Sequence, residues 1–523
     1  MRWGSRRQVC DWNRPMSAST SLSQRLPHPG RISVRCRRLG AGAVLLLLGG
    51  CAVGPTYHRP APPPVSSYVP APSGQPVKGA QTFEYGQSAG RDWWHTFRSS
   101  RLDRLVALAL AHNPSLKATE ASLREAHANL RAAMGIFYPQ VNAGLSAERM
   151  RTSGAEFGGT GPGNVFSLYT GNVNVSYYPD VFGINRFVYR QAKAQEDIAR
   201  DTLDAARLSV EGNVVQTALG AASVQAQIAA TRSIISNDKQ LLALAQTRYR
   251  IGAASYLDVV AQQSQLAADQ ATLPPLRDAL DRDQDALAAL CGSYPVQWNR
   301  KVLSLTKLHL PGKLPVGLPS TLTENRPDIR AAEAQLRAAN ASVGEAVARM
   351  YPLLEITGSF GGQSNKASTL FESANQVWSL AADLAAPIFE GGTLEAEKHA
   401  AQAAYSVSFA QYKAAVLGAF EQVADALRAL QHDAEALDAL DSEVKSADMT
   451  LTLTRAQYQV GAIDYLALLS AEAGYSRARI GFVKALAQRY TDTAALYVAL
   501  GSGVASDPVA QSGTVSQLPG ASR

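Results

Sequence analysis

A chain of 523 residues usually holds several globular domains. Its net charge of +7 is misleading, because residues 1–50 hold nine Arg, no Lys and one acid, Asp11, which leaves the remainder at −1. That near-neutrality excludes a basic surface for nucleic acid. Four cysteines at positions 10, 36, 51 and 291 do not make a disulfide framework either, since two fall in the basic leader and Cys291 stands apart.

Arg31, Arg35, Arg37 and Arg38 precede a short apolar run over 41–48, the pattern of an export signal. The run is far below the ~20 residues of a bilayer-spanning helix. Leu48-Gly49-Gly50-Cys51 then reads as a bacterial lipobox, with small residues admitting a peptidase and the Cys51 thiol as acyl acceptor. Ala52, in place of Asp, directs such a lipoprotein to the outer membrane. Residues 1–50 are thus assigned as signal, and the excess basic length suggests a translation start later than Met1, at Met16. Residues 51–100 follow as lipid anchor and extended tether, rich in Pro, Ser and Gly.

The first helix is expected near Leu102, with Leu102, Leu105, Val106 and Ala109 on one face. Asn113-Pro114 interrupts it, and a second helix runs toward Tyr138-Pro139. Val141, Ala143, Leu145 and Ala147 then alternate with Gln140, Asn142, Gly144 and Ser146, the period of a strand with one wet face. A glycine-rich loop over 154–163 and a second strand over 166–178 complete a hairpin, which Pro179 ends. Residues 184–251 lack proline and predict a helix on the order of 100 Å long. Downstream the order returns: strand 353–360, a Gly/Ser loop over 361–368, strand 377–384, and no proline from 388 to 507.

The return is a duplication. Asn113-Pro114 is answered by Arg326-Pro327 and Tyr138-Pro139 by Tyr351-Pro352, both at an offset of 213. Tyr249-Arg250-Ile251-Gly252-Ala253 matches Tyr458-Gln459-Val460-Gly461-Ala462 at 209. A period this long marks a duplicated domain rather than a solenoid, with a first repeat over 101–310, a second over 311–501 and a flexible tail over 502–523. Helices so long find no core within one compact domain and need lateral neighbours. Strands of roughly 10 residues suit a tilted bilayer crossing. Four cannot close a barrel, and lipid does not tolerate open edges. Several chains must therefore share one barrel; twelve strands from three chains fall within the size range of such barrels.

Two hairpins, two helix pairs, a duplication and a lipobox resemble the TolC-like outer-membrane factors, in their efflux lipoprotein (NodT-type) branch. The resemblance spans residues 51–501 and rests on Cys51-Ala52-Val53-Gly54-Pro55-Thr56-Tyr57-His58-Arg59-Pro60, Asp92-Trp93-Trp94, Arg326-Pro327-Asp328-Ile329 and the run from Tyr458 to Leu466. It implies an α+β membrane protein: a homotrimer whose 12-stranded outer-membrane β-barrel continues into a periplasmic α-helical barrel. It also implies a passive conduit for small molecules such as drugs, working with a periplasmic adaptor and an inner-membrane transporter, RND type first. The chain would be lipid-anchored at Cys51, with no cofactor. Gly252 and Gly461 would cap long helices and, in the family, lie at tips where the adaptor docks. Asp258 and Tyr458 resemble members of the network that closes the tunnel, and Leu466 an apolar constriction. Ser470 stands where relatives often carry Asp, so Asp464 and Glu472 become candidate substitutes.

Enzymatic readings are disfavoured. His95, His112, His127, His399 and His432 lack metal-ligand spacing, and the glycine-rich segments at 154–163 and 358–362, read as surface loops, lack a Gly-Lys-Ser/Thr ending. Two alternatives stay open: a type I protein-secretion channel, and a non-pore periplasmic coiled-coil scaffold lipoprotein. The strand patterns argue against the scaffold.

Overall fold

The computed structural model describes residues 53–70, 81–88, 90–153 and 163–502. The segment expected as signal, Cys51, most of the expected 154–163 loop and residues 503–523 lie outside the described residues. Strand β1 (Thr82–Tyr85) precedes helices α1 (Ser100–His112) and α2 (Pro114–Met134), strands β2 (Gln140–Arg151) and β3 (Val165–Tyr177), and helices α3 (Ile184–Arg250), α4 (Tyr256–Ala271) and α5 (Leu273–Leu290). Then come β4 (Lys313–Val316), α6 (Pro319–Asn325), α7 (Pro327–Ala348), β5 (Leu353–Ser364), β6 (Gln376–Ala385), α8 (Thr393–Gln459) and α9 (Tyr465–Ala499).

Helix ends follow local chemistry. Ser99 accepts from the Leu102 amide to start α1, whose buried face is Leu102, Leu105, Val106 and Ala109, as the periodicity requires. Asn113 ends α1 and caps α2, its side chain accepting from the Leu116 amide at 3.1 Å, with Pro114 in the first turn, where the missing N–H costs nothing. Helices α3 and α8 both run 67 residues, about 100 Å at ~1.5 Å per residue. In the second repeat the return helix α9 is continuous over 35 residues. In the first, Pro274-Pro275 splits the equivalent span into α4 and α5, since proline lacks the ladder donor and clashes with the preceding turn.

The main core lies where α1, α3, α5, α8 and α9 meet β1 and β4. Trp93 stacks on Tyr497 at 5.4 Å and meets Phe97 edge-on. Leu102, Leu219, Leu314 and Leu427 are buried beside them, each worth roughly 1.5–3 kcal/mol relative to exposure. The duplication is visible in the bonds: Asn113 donates to the Leu290 carbonyl at 2.8 Å and Arg326 to the Ala499 carbonyl at 2.7 Å. Residues 53–70, expected as tether, are extended but held along the helices. Tyr57 and Arg59 both bond Glu333, and the Tyr68 ring lies 5.4 Å from Phe420. Thr82–Tyr85 pairs in parallel with Lys313–Val316.

The larger sheet has the order β2-β3-β5-β6, all antiparallel. One expectation is corrected here. The glycines at 358–362 are not a surface loop, and the Gly/Ser loop does not begin at 361, because β5 continues to Ser364. A side chain on Gly361 would strike the Gly171 carbonyl of β3, and one on Gly362 the Leu370 carbonyl. These glycines allow close backbone approach within a sheet.

Candidate channel wall and periplasmic gate

In an antiparallel ladder, directly paired residues share a face. The register therefore puts Val141, Leu145, Val173, Val175, Ile356, Phe360, Trp378 and Leu380 on one side. Asn142, Ser146, Asn172, Asn174, Thr357, Ser359 and Asp383 fall on the other. The apolar side is open: Leu145 is 78% exposed and Trp378 76%. Strands β2 and β6 are the two edges, without a ladder partner on their outer sides among the described residues.

At the far end of the long helices, α3 and α8 close with the same six-residue motif. Gly252 has φ 75° and Gly461 φ 78°. Gly252 donates to the Tyr249 carbonyl and Ala253 to Arg248; Gly461 donates to Tyr458 and Ala462 to Gln457. This is the paired bonding of a glycine C-cap. A side chain added at either glycine would meet nothing within 4 Å, so within the chain only the left-handed backbone requires glycine.

The remaining candidates are placed as follows. Asp258 closes a capping box with Ser255, accepting from the Ser255 amide at 3.3 Å while its own amide donates to the Ser255 hydroxyl. Tyr458 is buried beside Leu241, Leu451 and Leu468, with the Arg248 guanidinium 4.4 Å above its ring and Tyr465 at 5.6 Å. Its hydroxyl bonds nothing in the described chain, and Asp258 and Tyr458 do not bond one another. Asp464 caps α9, accepting from the Ala467 amide at 2.9 Å. Leu466 and Ser470, one turn apart, both lie on its exposed face. Glu472 is on the opposite, buried face and pairs with Arg455 at 3.2 Å.

Sequence reading missed the polar seam behind these residues. Gln262 of α4, fully buried, donates to the backbone and carboxylate of Asp238 in α3 and accepts from the Tyr465 hydroxyl in α9. Burial, and then the neighbouring Asp269 carboxyl, push Asp238 well above the carboxylate range. Asp433, beside the Asp492 carboxyl, is raised by the same causes. Farther along α3, burial lifts Glu211 to about 8 and Asp201, beside Arg330, to about 6. A polar residue inside an alanine-rich helix gave no warning, because only packing decides which side is dry. Among the described residues no group of His, Cys, Asp and Glu is arranged to hold a metal ion.

The family described as outer membrane efflux protein matches residues 105–293 and 318–502. The chain is 31% identical to outer membrane protein OprJ of Pseudomonas aeruginosa over 89% of its own length and 96% of that protein. It is 29% identical to the cation efflux system protein CusC of Escherichia coli, over 88% of this chain and 98% of that one. The solved outer-membrane channel OprN superposes with a TM-score of 0.79 at 26% identity, covering 87% of this chain and 99% of that channel.

Proposed function

The chain belongs to the outer membrane efflux protein family, and from that premise we infer that it is the outer-membrane channel of a tripartite efflux system. It resides in the outer membrane, extends into the periplasm, and works with a periplasmic adaptor and an inner-membrane transporter of RND type. The reading extends to a passive conduit without catalytic chemistry. The single observation that carries it is the two-faced sheet with open edges at β2 and β6. Three copies would pair the β6 edge of one with the β2 edge of the next and close a barrel of twelve strands, apolar outside and polar inside. Alanine-rich α3 and α8 would continue it as a helical tunnel.

The periplasmic end would be the gate. Leu466 and Ser470 share the exposed face of α9 and form its narrow ring. Asp258 and Tyr458 stabilise the closed arrangement, Asp258 by fixing the start of α4 and Tyr458 by holding α8 against α3 through Arg248 and against α9 through Tyr465. Adaptor contact falls on the Gly252 and Gly461 turns, and Cys51 carries the lipid anchor. Reconstitution of the full-length protein in planar bilayers tests this. The wild type should give small, mostly closed conductances, and Asp258→Ala with Tyr458→Phe severalfold larger ones, with sensitivity of cells to vancomycin. Intact trimers that conduct no ions in either form would overturn the channel. Unchanged conductance in the double variant would remove these two residues from the gate.

A further inference from the structure

The apolar face of the sheet is not uniform. Paired across the strands lie Leu145, Gly171 and Gly362, and the two glycines leave a depression in the middle of the face. The segment joining β5 to β6 turns back over it: the Leu370 and Phe371 side chains come within 3.4 and 3.7 Å of where a Gly171 Cβ would stand, and Leu145 within 3.2 Å. Phe360, opposite Val173 and Trp378, closes the lower side. The result is a cavity of about 330 Å³, at the lower end of the roughly 300–1,000 Å³ typical of ligand sites. Leu370 is buried by this arrangement, while Phe371 stays 79% exposed, a wall rather than a plug.

Directly above the groove, β2 carries charge on the same face. Tyr169 pairs with both Ala147 and Ser364 and so defines one level across the three strands. Two residues beyond that level the outward position of β2 is Arg149, and two further Arg151; on the other side the chain leaving β5 reaches Lys366. All three are exposed, none joins an ion pair among the described residues, and Glu148 lies on the polar face. Cations that follow an apolar stretch on a lipid-facing strand reach the headgroup level, where they attract anionic lipid.

We propose that each protomer holds one phosphate-bearing lipid of the outer leaflet, with an acyl chain in the groove over Gly171 and Gly362 and its phosphate at Arg149 and Arg151, assisted by Lys366. The occupant follows from the charge and from the position: the groove opens on the membrane side of the hairpins, toward their tips. This rests on the barrel reading above, which makes that face the membrane face.

Native mass spectrometry of the detergent-extracted full-length trimer tests the site, titrated with diphosphoryl lipid A, phosphatidylethanolamine or inorganic phosphate. Lipid A should bind at one per protomer, at least tenfold tighter than phosphatidylethanolamine, and inorganic phosphate should not compete at millimolar concentration. Arg149→Gln with Arg151→Gln should abolish the preference, and Phe371→Ser should weaken binding of both lipids. Equal retention of lipid A by wild type and both variants, with trimers intact and conducting, would overturn the site and leave the channel standing. A wild-type protein that forms no membrane-inserted trimer would overturn both. Competition by inorganic phosphate would reduce the site to a simple anion patch and refute a lipid occupant.

Discussion

Glu211 shows how a single residue in a packed helix becomes sensitive to pH. It is 1% exposed in the main core, and burial raises it from 4.5 to about 8 against the partial relief of Arg207. A carboxyl with a raised folded-state pKa binds its proton more tightly in the native state. Its contribution is therefore complete below about 4.5 and is lost as pH rises through about 8. Each unit corresponds to about 1.4 kcal/mol, so thermal melts should fall between pH 5 and pH 9, and Glu211→Gln should flatten that fall. An equal fall in the variant would count against Glu211 as its source. At Gly461 the argument is different. A leucine there costs about 1–2 kcal/mol through its positive φ, yet its Cβ meets no atom of its own chain within 4 Å. Gly461→Leu should leave trimer yield near normal while crosslinking to the adaptor drops sharply; loss of trimer would make the glycine a folding residue only.

Among the elements, the junction of α1 and α2 carries more than its dipeptide suggests. Asn113 caps α2 and also donates to the Leu290 carbonyl at the end of α5, tying a local start signal to a residue 177 positions away. Loss of an N-cap costs about 1 kcal/mol, and loss of a further buried hydrogen bond a similar amount. Asn113→Ala should therefore lower stability about twice as much as Ser99→Ala, which removes a cap alone. Equal losses in chemical denaturation would show that the Leu290 bond contributes nothing. The equivalent position in the second repeat is Arg326, whose long side chain reaches the equivalent carbonyl, Ala499. The duplicated elements have thus kept the contact while changing the residue that makes it.

For the whole molecule, the decisive quantity is the number of copies. A four-stranded sheet with two open edges leaves backbone donors and acceptors unsatisfied in lipid. The exposed apolar face of β2, β3, β5 and β6 adds to the instability of a lone chain in water. Gentle detergent extraction should give a heat-labile trimer by mass photometry, whereas a stable monomer would contradict the shared barrel. Cys51→Ser should abolish fatty-acid labelling yet leave a partly functional channel, because a closed barrel holds itself in the membrane through its apolar band. Label retained on the variant would refute the lipobox.

The order of elements, the repeat and the two faces of the sheet were legible because they depend on periods of two and 3.6 residues and on where proline and glycine interrupt them. Leu102, Leu105, Val106 and Ala109 face the core, and β2 runs from Gln140, for that reason alone. Family motifs brought attention to Gly252 and Gly461, and their φ angles follow from the turn. What periodicity could not decide is which polar groups meet. Asp238, Gln262 and Tyr465 sit on three helices and join only after those helices pack. Glycines 361 and 362 look like a loop in sequence, yet belong to a strand because they pair with Asn172 and Gly171 of β3 and with Val377 and Gln376 of β6. Local pattern fixes the element and, where apolar residues recur at its period, its wet side; contacts between residues distant in sequence depend on the register of one element against another, and only the tertiary structure sets that register.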